Sequence, residues 1–341
     1  MPYTEPVANL SDVAARAGVS ISSVSRVLSG DSRARVGEAT RKRIHDAAAE
    51  LGYRPNFAAR ALKFSRTNVV ALVVPEVTNA IFSELMRGAE EEAQRRGYML
   101  LLARAEGLLS SKDAIPRLVG EGRVDGVLVQ AGDSMGAEDL QTLVSGKVPA
   151  VLISSVGVPG VGSVILEDEL GARMATEHLI SLGHERIGLV NGLPQNQTAQ
   201  RRRAGFEAAM SDAGLASDMI ASVGYDALRG REGLRALAAL RERPTGIVVA
   251  NVNAAIGALL EARTLGIAVP EELSIVAIHD VWTAGNTWPP LTTVRMPLYE
   301  LGVAAMDAIF RRMTDGEPGN RVVSDPSPQL IVRGSTAEPA R

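Results

Sequence analysis

The segment NLSDVAARAGVSISSVSRVLSG, residues 9–30, contains two short helical patterns separated by a glycine. Asn9 can cap the first pattern, and Asp12, three residues later, completes a variant of the capping box. Gly18 permits the positive φ of a tight turn, and Ser20 can cap the second pattern. Two short helices joined by a turn that contains glycine predict a helix-turn-helix.

The second helical pattern has an unusual polar face. Five of the thirteen residues 18–30 are serines, and Arg26 is the only charged residue among them. A face that is only solvated normally carries Lys and Glu, which have better helix propensity. Short hydroxyls let a helix approach the major groove of DNA closely, and Arg26 can grip guanine with two hydrogen bonds there. The alternative is a small three-helix core with an ordinary polar surface.

A third helical pattern follows in EATRKRIHDAAAELGY, residues 38–53. Its apolar face is predicted to consist of Ile44, Ala47, Ala48 and Leu51. Beyond it, Pro55 stops this pattern and Asn56 can cap another short helix. That last segment is too short to be helical alone in water, so we expect it to order only when something pairs with it.

Composition limits the class of protein. The chain has 341 residues, 46% of them hydrophobic, which is enough for two or three domains. It has no cysteine, so it has neither a disulfide framework nor a thiolate metal site. No apolar run approaches the length of about 18 residues that spans a membrane, and the N-terminus lacks the pattern of a signal peptide. We expect a soluble, cytoplasmic protein with no membrane partner.

The charge is distributed unevenly. Residues 1–66 hold eleven Lys and Arg against six Asp and Glu, whereas the rest of the chain holds 25 against 33. A small basic head on an acidic body indicates that only the head meets a polyanion, although chance clustering is the alternative.

Short apolar runs alternate with helical segments from residue 68 onward. We predict buried parallel strands in a first series and then in a second, and this alternation implies two doubly wound sheets that bind ligands at the carboxyl ends of their strands. Two such series indicate two lobes around a cleft. The predicted strands are VVALVVP (69–75), YMLLLA (98–103), VDGVLVQ (124–130), PAVLISS (149–155), RIGLVNG (186–192), GIVVAN (246–251) and LSIVAIHD (273–280).

Enzyme classes find no support in the sequence. It contains no phosphate-binding GxxxxGK[ST] loop, no G-x-S-x-G elbow and no H-E-x-x-H pair. His178 and His184 have no suitable metal partner nearby, so we predict no catalytic residue, no metal site and no cofactor. A periplasmic solute-binding protein would share the two-lobed body, but it would lack the basic head.

Several motifs together resemble the lac repressor (LacI/GalR) family of transcriptional regulators. They occur in colinear order from residue 11 to residue 336, so the resemblance covers nearly the whole chain. They are SDVAARAGVSISSVSRVLSG (11–30), TRKRIHDAAAELGYRPNFAARAL (40–62), LGHERIGLV (182–190), RRRAGFEAAM (201–210), PPLTTVRMP (289–297) and LIVRGST (330–336).

The resemblance implies a domain organisation. Residues 1–55 would form the DNA-binding head, residues 56–66 a hinge helix and linker, and residues 67–341 a body like a periplasmic binding protein. Because the family's chain crosses between lobes more than once, the lobe nearer DNA would comprise 67–166 and about 297–326. The far lobe would comprise about 167–296 and 327–336.

The resemblance also implies DNA contacts. Ile21, Ser22 and Arg26 occupy base-reading positions, and Ser20 and Ser29 occupy phosphate-contacting ones. In the hinge, Leu62 fits the leucine that wedges into the minor groove and Lys63 a nearby basic position. Gly37 departs from the usual Ser or Thr cap. Three further residues, Ser25, Asn56 and Ala59, complete the predicted DNA-binding set.

An effector cleft is implied as well. Arg202 and Asn251 match the family's cleft arginine and asparagine, Phe82 lies at the entry of the first lobe, and Trp282 follows a strand end. Sugar-responsive relatives commonly have acidic residues where this chain has Ser154, Val252 and His279. Carboxylates suit sugar hydroxyls. Their absence favours a less hydroxylated or an anionic molecule, or no ligand at all, although family habit still favours a sugar or sugar derivative.

Taken together, the sequence predicts a homodimeric transcriptional regulator, more a repressor than an activator. It would bind a near-palindromic double-stranded DNA operator under the control of a small-molecule effector. The effector-binding set is Phe82, Ser154, Arg202, Asn251, His279 and Trp282. The alternative is a DNA-binding regulator with a vestigial cleft and no effector.

Overall fold

The protein is described from a computed structural model, which gives residues 8–29, 35–54, 61, 66–77, 79–109, 114–132, 137–144, 148–155, 158–316 and 319–340. The chain divides into two compact units, Met1–Asn68 and Val69–Arg341, called here the head and the body. Across the ranges given above, no helix is long and apolar enough to cross a membrane.

Within the described residues of the head, three helices have defined bounds: α1 (Leu10–Ala17), α2 (Ile21–Leu28) and α3 (Glu38–Glu50). The predicted capping box is confirmed, because the Asn9 side chain accepts from the amides of Ser11 and Asp12 while Asp12 accepts from the amide of Asn9. The turn places Gly18 at φ 67°, and the Ser20 hydroxyl caps α2 at 3.1 Å from the amide of Ser23. The helix-turn-helix that the sequence predicts is therefore present.

The three helices bury one small core. Val13, Val24 and Ile44 are fully buried at its centre. Leu51, predicted on the same face of α3, is exposed instead, because it lies at the C-cap, where the chain leaves the helix. Gly37 is the N-cap of α3, and because glycine has no side chain, this helix lacks the side-chain hydrogen bond that a Ser or Thr cap would make.

The body is built on two six-stranded sheets within the described part of the chain. The first runs in the order β11-β5-β4-β3-β1-β2, and its strand pairs are parallel. It consists of β1 (Val69–Val74), β2 (Met99–Arg104), β3 (Gly126–Gln130), β4 (Ala150–Ile153), β5 (Gly162–Leu166) and β11 (Asn320–Val323).

The second sheet has the order β12-β10-β9-β8-β6-β7, parallel except for the antiparallel pair of β10 and β12. The chain passes between the sheets after β5, after β10 and after β11. The strands of this sheet are β6 (Ile187–Asn191), β7 (Ile220–Ser222), β8 (Gly246–Val249), β9 (Ser274–Ile278), β10 (Thr292–Arg295) and β12 (Gln329–Ile331).

Helices cover both sheets, which confirms the doubly wound fold class. The longest, α12, packs on α4 so closely that a Cβ at Gly88 would overlap the carbonyl of Tyr299, and one at Gly302 the carbonyl of Leu85. A single 3₁₀ turn is described at Ala284–Asn286. The helices are α4 (Ile81–Arg95), α5 (Ala105–Leu109), α6 (Ala114–Gly120), α7 (Ala137–Val144), α8 (Asp168–Ser181), α9 (Gln197–Asp212), α10 (Ala227–Ala238), α11 (Val252–Leu265) and α12 (Leu298–Asp315).

One predicted strand differs from expectation in its burial. YMLLLA was predicted as a buried strand, but β2 lies at the edge of the first sheet, and Met99, Leu101 and Leu102 are 68%, 44% and 41% exposed. The apolar run predicts the strand correctly and its position wrongly, because burial depends on the pairing order of the whole sheet.

Candidate functional site

The carboxyl ends of the parallel strands meet at a cavity of about 410 Å³ in the body. Ser154 follows β4 of the first sheet, whereas Asn251 and His279 follow β8 and β9 of the second, and all three line this cavity. Arg202 reaches the cavity from α9 and Phe82 from α4. Five of the six predicted effector-binding residues therefore line one cavity.

Arg202 is held rigidly at the wall of this cavity. Its Nε and Nη2 donate to Oδ1 of Asp168 at 3.1 and 2.9 Å, and its Nη1 donates to the carbonyl of Ala250. Nη2 also lies 2.8 Å from Nε2 of His279. Four of the five N–H donors of this buried guanidinium are thus used by the protein itself.

The same carboxylate also binds the preceding arginine. Nε and Nη2 of Arg201 donate to Oδ2 of Asp168 at 3.1 and 2.8 Å, and Nη2 donates to the carbonyl of Ser154 at 3.0 Å. Ser154 follows β4 of the first sheet, and Arg201 lies on α9, which connects β6 and β7 of the second sheet. The hydrogen bond between them therefore links the parts of the body built on the two sheets, beside the cavity.

His279 is neutral in this environment. Burial lowers its pKa well below the usual value, and the positive charge of Arg202 lowers it further. Its backbone is in the left-handed region at φ 74°, and its amide donates to the carbonyl of Val294. Among the described residues, its Nδ1 has no hydrogen-bond partner.

The remaining predicted residues have mixed environments. Asn251 caps α11 by accepting from the amide of Asn253 at 2.8 Å. Phe82 belongs to the main hydrophobic core and also lines the cavity. Val252, which stands where sugar-responsive relatives have an acidic residue, is fully buried in apolar packing.

Trp282 is placed elsewhere. It is 72% exposed and borders a second cavity of about 610 Å³ with Asp280, Arg295 and Arg333. Trp282 was predicted in the cavity because it follows a strand end. The first residue after β9, His279, does line the cavity, but Trp282 lies three residues further along the chain and is outside it.

Further cavity residues escaped the sequence reasoning. Asn196 caps α9 and Asp226 caps α10, and both line the cavity. The sequence could have indicated both residues, because each is an N-cap residue that directly precedes a helix. Tyr225 also lines it, and its ring centroid lies 5.8 Å from the guanidinium carbon of Arg202. Asn79 and Thr198 are further polar residues of the lining.

In the head, α2 presents the predicted DNA contacts. Ile21 is 49% exposed, and Ser22 and Arg26 are exposed beside it. Arg26 makes no ion pair with any described residue, so its guanidinium is available to a ligand. Ser20 and Ser29 cap the two ends of α2, and Ser25 is half-buried. Four predicted hinge contacts, Asn56, Ala59, Leu62 and Lys63, lie outside the described residues, so their roles stay predictions.

Two histidines are accounted for by ordinary hydrogen bonds. Nε2 of His178 lies 3.1 Å from the hydroxyl of Thr336, and the ring of His184 contacts Thr245 and the carbonyl of Ala337. Where the structure describes the chain, no group of three His, Asp or Glu side chains is arranged to hold a metal ion.

Comparison with known proteins defines the class. A family model described as "Bacterial regulatory proteins, lacI family" matches residues 9–56, and one described as "Periplasmic binding protein-like domain" matches residues 176–336. The HTH-type transcriptional repressor PurR of Photobacterium profundum is 32% identical over 337 residues, which cover 97% of this chain and 99% of PurR. The chain belongs to the LacI family and is a DNA-binding transcriptional regulator.

Solved structures agree with this assignment. The lac repressor dimer bound to operator and the anti-inducer ONPF matches 97% of this chain and 100% of its own, with a TM-score of 0.82 and 25% identity. The complex of the transcriptional regulator CelR with cellobiose matches 96% of this chain and 99% of its own, with a TM-score of 0.71 and 30% identity. Regulators of this fold thus bind DNA and small molecules.

Proposed function

We propose that this regulator is a homodimeric repressor whose binding to a near-palindromic operator is controlled by an uncharged small molecule in the 410 Å³ cavity. The observation that carries the proposal is the convergence of Phe82, Ser154, Arg202, Asn251 and His279 on that cavity. The lobes would comprise 67–166 with 297–326, and 167–296 with 327–336. As a bacterial operator-binding protein, it would act in the cytoplasm.

The charges around the cavity favour an uncharged ligand over an anion. The cation of Arg202 is already paired with Asp168, and the neighbouring imidazole of His279 is neutral. Glu76 and Asp226 add acidic side chains to the lining. An anionic ligand would therefore meet no unpaired cation among the described lining residues. Sugar derivatives and nucleobase-like compounds are the classes that fit.

A thermal-shift screen of metabolites tests the ligand. A molecule that binds the folded state stabilises it by about 2.7 kcal/mol at a hundred times its Kd, which raises the melting temperature. The Tyr225→Leu variant should lose this shift, because Tyr225 lines the cavity. The matched aromatic control, Trp282→Leu, should keep it, because Trp282 lies outside.

The screen also decides between the two versions of the function. If no metabolite raises the melting temperature, the cavity is vestigial and the protein regulates constitutively. If ligands bind and DNA affinity measured by fluorescence anisotropy does not change, the cavity binds a molecule without controlling the operator. Either result contradicts the proposal.

A further inference from the structure

We infer that Arg201, together with Thr198, forms a bridge between the two proposed lobes that keeps the effector cavity assembled. The bridge runs from α9 in the second lobe to the carbonyl of Ser154 in the first. Its effect on the effector rests on the proposed function, whereas its effect on the arrangement of the lobes does not.

The sequence RRR at residues 201–203 places three arginines on α9, in three different environments. Arg203 is exposed and pairs with Glu207 on the same helix. Arg202 lines the cavity, whereas Arg201 is not among the described residues that line it, and its side chain is only 21% exposed. Arg201 is therefore neither a wall of the cavity nor a solvated surface residue, and its contacts within the protein define its role.

The acceptor in the first lobe is a backbone carbonyl just beyond β4. Ser154 directly follows the last residue of this strand at φ 60°, and its amide donates to the carbonyl of Val164 at 2.8 Å. The Ser154 carbonyl accepts from Nη2 of Arg201 at 3.0 Å and from the hydroxyl of Thr198 at 3.2 Å. Two donors of the second lobe thus bind one carbonyl of the first.

The guanidinium of Arg201 is also anchored where the chain passes from the first sheet to the second. Asp168 begins α8, two residues after the end of β5, and its Oδ2 accepts from Nε and Nη2 of Arg201. Domain motions are absorbed by a few residues at such crossings. A rotation about this crossing would preserve the contact with Asp168 and separate Arg201 from Ser154. The bridge therefore opposes that rotation.

The bridge favours the arrangement in which the cavity exists. The cavity takes Phe82 and Ser154 from the first lobe and Arg202, Asn251 and His279 from the second, so it depends on how the lobes are placed. A guanidinium is always charged, and hydrogen bonds from charged donors are stronger than neutral ones. A larger population of the assembled arrangement raises the apparent affinity for a ligand that binds it.

Distance measurements by pulsed electron paramagnetic resonance test the bridge. The chain has no cysteine, so nitroxide labels attach only to the two cysteines introduced by Gln141→Cys and Gln195→Cys. Both glutamines are exposed; Gln141 lies on α7 in the first lobe, and Gln195 lies just before α9 in the second. The labelled chain is mixed with an excess of unlabelled chain, so that a labelled homodimer carries one pair of labels. No effector is added.

Arg201→Lys is the decisive variant, because it keeps a positive charge beside Asp168. A lysine Nζ ends one atom short of the arginine Nη2, the atom that binds Ser154. We expect the distance distribution to broaden in this variant and to broaden further when Thr198→Val is added. Arg203→Lys makes the same change at a surface residue of α9 and should leave the distribution unchanged. A double variant whose distribution is as narrow as that of the wild type would overturn the inference.

Calorimetry distinguishes failure of the bridge from failure of the proposed function. Cellobiose, and each metabolite that raises the melting temperature, is titrated into the wild type, Arg201→Lys and Arg203→Lys. We expect Arg201→Lys to bind about fivefold to tenfold more weakly, the effect of one net hydrogen bond, and Arg203→Lys to bind like the wild type. If Arg201→Lys keeps its full affinity, the bridge does not assemble the cavity, and the inference is overturned while ligand control survives. If no metabolite binds, the proposed function fails, and the distances alone decide the bridge.

Discussion

Arg26 is the long charged side chain among the short hydroxyls of α2, and it is exposed without an ion pair to any described residue. If it reads a guanine, Arg26→Ala should cost about 1–3 kcal/mol on the operator and relax the preference at one base pair. Binding to random DNA should change much less. Fluorescence anisotropy with operator and scrambled duplexes measures both.

The control for Arg26 is another arginine of the head. Arg43 is exposed on α3 and not on α2, so Arg43→Ala should weaken binding to operator and to random DNA alike. If Arg26→Ala behaves in the same way as this control, Arg26 contacts phosphate and reads no base.

Asp168 is the residue on which the cavity wall depends. It is 1% exposed and binds two guanidiniums, one through each oxygen. Asp168→Asn leaves two arginines without their counter-ion, so it should lower the free energy of unfolding by about 3–5 kcal/mol. Urea denaturation measures it.

An exposed ion pair provides the comparison for Asp168. Asp212 pairs with Arg173 at the surface, so Asp212→Asn should cost less than about 1 kcal/mol. Equal effects of the two substitutions would mean that the buried pair contributes no more than a solvated one.

At the scale of elements, α10 and α11 are joined by one buried carboxylate. Glu261 on α11 binds Arg231 and Arg235 of α10 at 2.9 and 2.8 Å, and the hydrogen bond from Arg231 is the largest cause of its lowered pKa. Because the folded protein holds this carboxylate ionised, the unfolded chain binds more protons near the ordinary pKa of 4.5. The stabilisation is present above that pH and is lost as the pH falls through the folded pKa.

We therefore expect Glu261→Gln to be less stable than the wild type at pH 7 and to approach it as the pH falls below 4.5. Denaturation at a series of pH values measures the difference. Glu207→Gln, which removes a surface pair with Arg203, should show little dependence on pH. A constant difference between Glu261→Gln and the wild type would show that packing, and not charge, joins the two helices.

At the scale of the whole molecule, the exposed apolar edge of the first sheet is the surface that we expect to form the dimer contact. Strand β2 lies at the edge of the first sheet as described and exposes Met99, Leu101 and Leu102 there, an arrangement that promotes association. In the proposed homodimer, the second copy of the chain would cover this edge. Leu101→Arg should shift the protein toward monomer in analytical ultracentrifugation. Operator affinity should fall as well, because two linked heads bind at high effective concentration.

Leu240→Arg is the matched control for the edge strand. Leu240 is 43% exposed, close to the 44% of Leu101, but it follows α10 in the part of the body built on the second sheet. It should leave the sedimentation coefficient unchanged. If Leu101→Arg also leaves it unchanged, β2 is not the dimer edge.

Local features of this protein were determined by sequence alone. The capping box of Asn9 and Asp12, the turn at Gly18 and the cap of Ser20 involve residues within three positions of each other, so short-range chemistry specifies them. The alternation of apolar runs and helices likewise determined the doubly wound body, because a strand buried on both faces must be apolar throughout.

Only the tertiary structure decided where each strand lies in its sheet and which side chains contact one another at the cavity. The position of β2 at an edge depends on the pairing order of six strands, which its own sequence does not encode. Arg202 was predicted in the cavity, but its partners are 34 residues away at Asp168 and 77 residues away at His279. The lowered pKa of His279 follows from those surroundings, since burial and a neighbouring cation are properties of the folded chain. The sequence therefore predicted five of the residues that line the cavity, and the fold determined their hydrogen-bond partners and added lining residues such as Tyr225.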